Sequence, residues 1–330
     1  KHLRQAAEVS REIANRQQPN DQVLSLHRSA LRLLRDSPEG FLSLSEKCDI
    51  AQEAYRLGTT GQKDFSQVRD TVSLSGLLMR NQCKSQADKY YRIADEQLDS
   101  LQSNSVWDNE RLFALGKTAM RLGDRNRALR LLMQLVASPN QPLPKDFSCQ
   151  QLDAESSHYI ACLLRTENQT QALDYALRAQ QEWMRFLKDR PVDNLGEVIF
   201  NEFDLHVQLG HNSNLLGGLY GDLQAESKAI DAFENAVLHY RAILESNAWE
   251  IPRSIKRGLG NALHSLGRIH QESEQSQVAA DFFKQALAIR NELISTMVDP
   301  TDQDVQDAKN TDERLRMSIL FAENSTTRPH

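Results

Sequence analysis

Apolar residues recur along this chain at helical intervals. Leu24, His27, Leu31 and Leu34 follow one another at steps of three, four and three, and Phe41, Leu44, Cys48, Ala51 and Tyr55 keep the rhythm beyond Ser37-Pro38. Such spacing puts one apolar stripe on one face of an α-helix. A further helix is predicted around residues 3–17, where Gln and Arg predominate. Later, Trp183, Phe186 and Leu187 carry a helix to a stop at Arg190-Pro191, because proline cannot continue it. A long helix from about Leu195 to Leu223 follows, with Ile199, Phe203, Leu205 and Leu209 on its apolar side.

Small residues add a longer period. Leu216, Gly217, Tyr220, Ala229, Phe233 and Ala236 are echoed by Leu266, Gly267, His270, Ala279, Phe283 and Ala286. Two antiparallel helices approach closely only where small residues face each other and rings fill the gaps beside them. The same order persists upstream at Leu115, Gly116, Ala119, Ala128, Leu132 and Leu135. Looser copies run through Leu74, Ser75, Leu78, Ala87, Tyr91 and Ala94, and through Tyr159, Ile160, Leu163, Ala172, Ala176 and Ala179. This pattern resembles the tetratricopeptide repeat.

The small position of the first helix falls at residues 75, 116, 160, 217 and 267, steps of 41, 44, 57 and 50. Those steps exceed the 34 residues of the consensus repeat, and kinesin light chain repeats are similar in this respect. The resemblance implies an all-α superhelix, a solenoid of about 12 antiparallel helices. Four segments are expected: residues 1–67 as a divergent repeat and cap, 68–190 as three repeats, 191–298 as the long helix with the two best repeats, and 299–330 as an acidic, partly disordered tail. Within that tail a short helix over Glu313–Phe321 is expected as a cap.

Composition supports helices and narrows the partners. The chain has 14 Gly and 9 Pro among 330 residues, below average usage, so few breakers interrupt it. A net charge of −6 lacks the basic footprint of a nucleic-acid protein, and no stretch approaches the about 18 apolar residues of a membrane span. The charge is uneven, +3 over residues 1–165 and −9 over 166–330. None of Cys48, Cys83, Cys149 and Cys162 forms a C-x-x-C pair, so each is expected to be a buried, inert thiol and no metal or cofactor is expected.

Residues 210–297, from Tyr220-Gly-Asp-Leu-Gln-Ala-Glu to Gln285-Ala-Leu-Ala-Ile-Arg, resemble the tetratricopeptide regions appended to large bacterial Ser/Thr protein kinases. That resemblance implies a non-catalytic, partner-binding or regulatory region whose catalytic domain lies upstream of Lys1. No Gly-rich loop, H-R-D loop or D-F-G segment occurs here, and the chain opens without an initiator Met. A cytoplasmic location is expected, or an extracytoplasmic one if the parent chain carries an upstream membrane span.

Chemistry is sparse in the sequence. Gly258-Leu-Gly260 lacks the third glycine of a dinucleotide loop. His206/His211 and His264/His270 do not have the i, i+4 spacing of a zinc pair on one helix face, and no nucleophile–base pair stands out. The Asn168-Gln-Thr and Asn324-Ser-Thr sequons are expected by chance. The expected activity is therefore binding, without an enzyme site.

In the tetratricopeptide alignment the groove-lining positions carry Arg80, Arg121 and Arg165 one repeat apart, with Lys117 beside the second. A row of guanidinium groups suits carboxylates or phosphates on an extended peptide, since Arg pairs with them through two parallel bonds. Farther along stand Asn214, His264 and Arg268, suited to hydrogen bonding a peptide backbone. The expected partner is a protein or peptide, with acidic segments favoured by the arginines.

Overall fold

The computed structural model describes residues 31, 43–58, 65–80, 83–100, 107–136, 147–190, 201–246, 251–295 and 302–326. Among the described residues the chain is all-helical, with a tetratricopeptide-like solenoid fold. Its helices are α1 (Leu44–Gly58), α2 (Phe65–Arg80), α3 (Lys84–Ser100), α4 (Trp107–Leu122), α5 (Arg125–Met133) and α6 (Phe147–Leu164). They continue as α7 (Gln169–Asp189), α8 (Glu202–Asp222), α9 (Glu226–Glu245), α10 (Arg253–Glu272), α11 (Ser276–Ser295) and α12 (Asp302–Thr326). The helix expected over residues 3–17 and most of the Leu24–Leu34 stripe lie outside the described residues; Leu31 is helical and buried.

Packing groups the chain into two compact units, residues 1–156 and 157–330, with the boundary inside α6. In the first, Ser43 and Glu46 close a capping box at α1: the Ser43 amide donates to Glu46 Oε2 at 2.7 Å and the Glu46 amide to Ser43 Oγ at 3.2 Å. The α2 and α3 helices pair through small groups, Ser75 Oγ donating to the Ala87 carbonyl at 2.6 Å. Gly116 of α4 lets Leu132 of α5 approach so closely that an added Cβ would lie 2.8 Å from it.

In the second unit Gly217 faces Phe233 and Gly267 faces Phe283, and an added Cβ would stand 2.6 and 2.8 Å from the respective rings. Where the first-helix position is Ile160, its counterpart on the second helix is Ala176, and both are fully buried. Large and small residues thus exchange places between the two helices, which conserves the volume at the crossing. Ala87, Ala128, Ala172, Ala229 and Ala279, the small position of each second helix, are all fully buried.

The turns between paired helices repeat as well. Cys83, Asp124, Ala225 and Gln275 donate their amides to the carbonyls of Leu78, Ala119, Tyr220 and His270 at 2.8–2.9 Å. This six-to-one bond is the Schellman closure, which needs one left-handed residue. Gly123 supplies it at φ +88°, whereas Gln224 and Glu274 adopt φ 57° and 60° at the same place. Gln224→Gly and Glu274→Gly are each expected to stabilise the second unit by about 0.5–1 kcal/mol, measured by urea unfolding, because left-handed backbone strains a residue bearing a Cβ.

Two expectations change. The helix predicted from Leu195 is described from Glu202, where Asn201 is extended (ψ 152°) and its Oδ1 accepts the Asp204 amide at 2.7 Å. Residues 195–200 lie outside the described residues. The acidic tail, expected to be partly disordered around a short helix, is instead a helix of 25 residues, α12. Its acidic first turns favour the helix dipole. Buried Asp304, Thr311 and Ser318, seven residues apart, find partners on α10: Arg257 grips Asp304 by two bonds of 2.9 Å, His264 Nδ1 lies 3.1 Å from Thr311 Oγ1, and Gln271 donates to Ser318 Oγ at 3.2 Å.

Candidate functional site

The first helices of the two best repeats carry stripes of mostly small and polar residues, and on α10 three of them, Arg257, His264 and Gln271, are engaged by α12. On α8 the half-buried stripe is Val207, His211, Asn214, Gly218 and Gly221, and on α10 the equivalent stripe is Arg257, Asn261, His264, Arg268 and Gln271. Both follow steps of four, three, four and three, so each occupies one helix face.

The arginines expected as a row have neighbours of their own. The side chain of Arg80 lies outside the described residues. Arg121 is exposed in the first unit, and a Cβ on Gly76 would come 3.7 Å from its Nη1. Lys117 places its Nζ 4.8 Å from the centre of the Phe113 ring one turn earlier. In the second unit Arg165 lies flat against Gly218, where an added Cβ would be 2.7 Å from Nη2, and its Nε donates to Asp222 Oδ2 at 2.7 Å. Gly218 is therefore the seat of a guanidinium.

Asn214 is half-buried, and its amide has no partner among the described residues. Arg268 is 43% exposed and pairs loosely with Glu272 at 3.2 Å, one turn along α10. His264 is occupied at the helix junction. Thr311 Oγ1 donates to the Asp307 carbonyl at 2.8 Å and accepts from Arg290, so His264 Nδ1 carries the proton in its bond to that oxygen. Burial, then the Arg290 and Arg314 charges, push the His264 pKa down to about 4.

Other polar groups emerge only from the packing. Tyr240 of α9 is fully buried between α8 and α10; an added Cβ at Gly210 would meet its ring at 2.7 Å and one at Gly258 would meet its hydroxyl at 2.5 Å. That hydroxyl bonds His211 Nδ1 at 2.9 Å. Gly258 and Gly260 thus serve packing, Gly258 against Tyr240 and Gly260 against the buried Arg290 stem. His206 and His239 join α8 to α9 through their Nδ1 atoms at 2.9 Å. Burial, reinforced by a neighbouring histidine in each case, lowers His211 and His239 to about 4.

The expectation of four buried thiols fails in three places. Cys48 is buried, Cys83 and Cys149 are half-buried, and Cys162 is exposed. Cys162 Sγ lies 3.7 Å from Nε2 of His158, one turn earlier on α6, a nucleophile–base spacing that the sequence reading missed although i, i+4 proximity on a helix was available to find it. Asn168, read as a chance sequon, is the N-cap of α7, its Oδ1 accepting the Gln171 amide at 3.1 Å. Among the described residues no group of three or more His, Cys, Asp and Glu side chains is placed to hold a metal, and no helix is long and apolar enough to cross a membrane.

Residues 262–303 match the family model described as tetratricopeptide repeat, which begins in α10 and runs through α11. No curated protein sequence matches the chain. Among solved structures it is similar to BtubC (BKLC) from P. vanneervenii, with a TM-score of 0.54, 16% identity, and coverage of 79% of this chain and 96% of that one. It is also similar to the apo form of RapI, with a TM-score of 0.53, 14% identity, and coverage of 98% and 84%. A third is the STAND ATPase with a tetratricopeptide repeat sensor from Pyrococcus horikoshii, at a TM-score of 0.53 and 14% identity, covering 92% of this chain and 44% of that one. At these identities the likeness is one of fold.

Proposed function

We propose that the chain is a non-catalytic scaffold that holds an extended peptide of a partner protein along the first helices of its repeats. The observation that carries this reading is Asn214, whose half-buried amide offers a donor and an acceptor without a partner among the described residues. Beside it the Arg165 guanidinium sits on Gly218, and Arg165 and Arg268 are held by carboxylates that a partner's acidic side chain could replace. In the first unit, taken by itself, Arg80, Lys117 and Arg121 are proposed for contacts of the same kind. Surface ion pairs contribute about 0–1 kcal/mol, so exchanging one for an incoming carboxylate costs little.

The test is capture by the intact chain compared with capture by the double variant Asn214→Ala/Arg268→Glu. A partner held by the native chain is expected to bind about tenfold more weakly to the variant, the loss of one or two charge-assisted hydrogen bonds. Equal binding, with an equal helical circular dichroism spectrum, removes this site.

The second reading is favoured by the sequence of residues 210–297 alone. There the chain is the docking or regulatory region of a bacterial Ser/Thr protein kinase. The gene upstream of Lys1 then encodes a Gly-rich loop and an H-R-D motif. Their absence from that gene ends this reading.

A further inference from the structure

The exposed thiol at the end of α6 belongs to a connected set. Asn212 of α8 is fully buried, and its Nδ2 donates to the Ala176 carbonyl at 2.8 Å and to Gln180 Oε1 at 2.9 Å. Those two bonds fix the amide, so its Oδ1 is left to accept from His158 Nδ1, 3.0 Å away. With the proton held on Nδ1, the Nε2 lone pair of His158 faces Cys162 Sγ at 3.7 Å. A buried side chain thus orients a base, and the base meets a thiol open to solvent.

Charge acts in the same direction. Crowding around the sulfur is the largest single influence and raises the thiol pKa, but the His158 ring and the Arg165 guanidinium together outweigh it and bring the pKa below its ordinary value. The groups facing this set are His211 and Asp222 of α8, the latter paired with Arg165, and neutral Gln180 of α7.

We propose that Cys162 is a nucleophilic thiol, set by His158 and Asn212, that takes up a small disulfide such as oxidised glutathione as a mixed disulfide. The thiol proton passes to His158 Nε2, and Sγ attacks one sulfur of the reagent. The reagent's sulfur–sulfur bond breaks as the new one forms, and the departing thiolate takes the proton from His158. Cys162 is oxidised to the disulfide level and half of the reagent is reduced to thiol, so electrons balance. Asn212 is a positioning residue, acting only through His158.

The intact chain is treated with iodoacetamide, and separately with oxidised glutathione, over about pH 5–9, and the adduct on Cys162 is followed by peptide mass spectrometry. The native protein is expected to alkylate at Cys162 about tenfold faster near neutrality than the urea-unfolded chain, with a lower pH midpoint. His158→Gln is expected to return both rate and midpoint toward those of the unfolded chain, and oxidised glutathione to add one reducible group at Cys162. A native midpoint equal to the unfolded one overturns the proposal, as does a midpoint unmoved in a folded His158→Gln variant. Fast alkylation without any glutathione adduct overturns the disulfide step. If His158→Gln does not fold, the native-against-unfolded comparison decides alone.

Discussion

Replacing Tyr240 by alanine is expected to cost the second unit about 3–5 kcal/mol, the range for removing a large buried aromatic side chain. The ring is fully buried, lies against Gly210 and Gly258, and anchors α9 between α8 and α10. Tyr240→Phe keeps the ring but leaves His211 Nδ1 without its hydroxyl partner, and is expected to cost about 1 kcal/mol. Gly258→Ala tests the same packing from the other side, because the added Cβ would meet the Tyr240 hydroxyl at 2.5 Å and its ring carbon Cζ at 2.6 Å. In the double variant Gly258→Ala/Tyr240→Ala both clashes are gone, so the combined cost should be less than the sum of the two separate costs. Urea unfolding of these variants and the native protein measures this; strictly additive costs would show that the Tyr240 ring does not set the approach of α10.

Acid is expected to unfold the second unit in a window set by its buried histidines. His211, His239 and His264 titrate at about 4 in the folded protein, against roughly 6.5 for an ordinary histidine. Above about pH 6.5 all three are neutral in both states and contribute nothing to the pH dependence. Between about 6.5 and 4 the unfolded chain binds protons that the folded one excludes, so stability falls as pH falls. From about pH 7 to pH 5 this amounts to roughly 2 kcal/mol per histidine and on the order of 5 kcal/mol for three. Burial is the leading cause at all three, reinforced by His158 at His211, by His206 at His239, and by the Arg290 and Arg314 charges at His264. Stability measured against urea at stepped pH gives the slope. His264→Gln should reduce it by one proton, and a flat profile between about 7 and 5 would contradict the neutral, buried state of these rings.

The repeat was legible because its signal is local and steric. Gly217, Gly267, Phe233 and Phe283 appear in the chain at the spacing that the helix crossing requires, and the structure puts each ring over its glycine. The end of α7 was equally legible: Arg190 turns left-handed at φ 42° just before Pro191. The tail was misread for the opposite reason. Its acidic composition suits solvent, yet Asp304, Thr311 and Ser318 are buried because Arg257, His264 and Gln271 lie on another helix at the matching height. Composition carries no record of a partner 47 residues away.

The candidate site shows the same limit. Arg165 is prominent in a sequence alignment of repeats, but its pairing with Asp222 and its seat on Gly218 join residues more than 50 positions apart, which spacing along the chain does not reveal. His158 and Cys162 are one turn apart in the sequence, and their proximity follows from the helix alone. What makes them a pair is Asn212, 54 residues later than His158, whose buried amide fixes the imidazole tautomer.

By itself, then, the sequence determined the helices, their stops and the small-over-large crossings, because these depend on residue size and on backbone periods of a few residues. Tertiary structure alone decided which polar groups are satisfied, which histidines are kept neutral, which acidic residues are buried and which thiol is activated. Those properties depend on what a side chain meets across a helix junction, where water has been excluded and a single hydrogen bond or charge sets the balance.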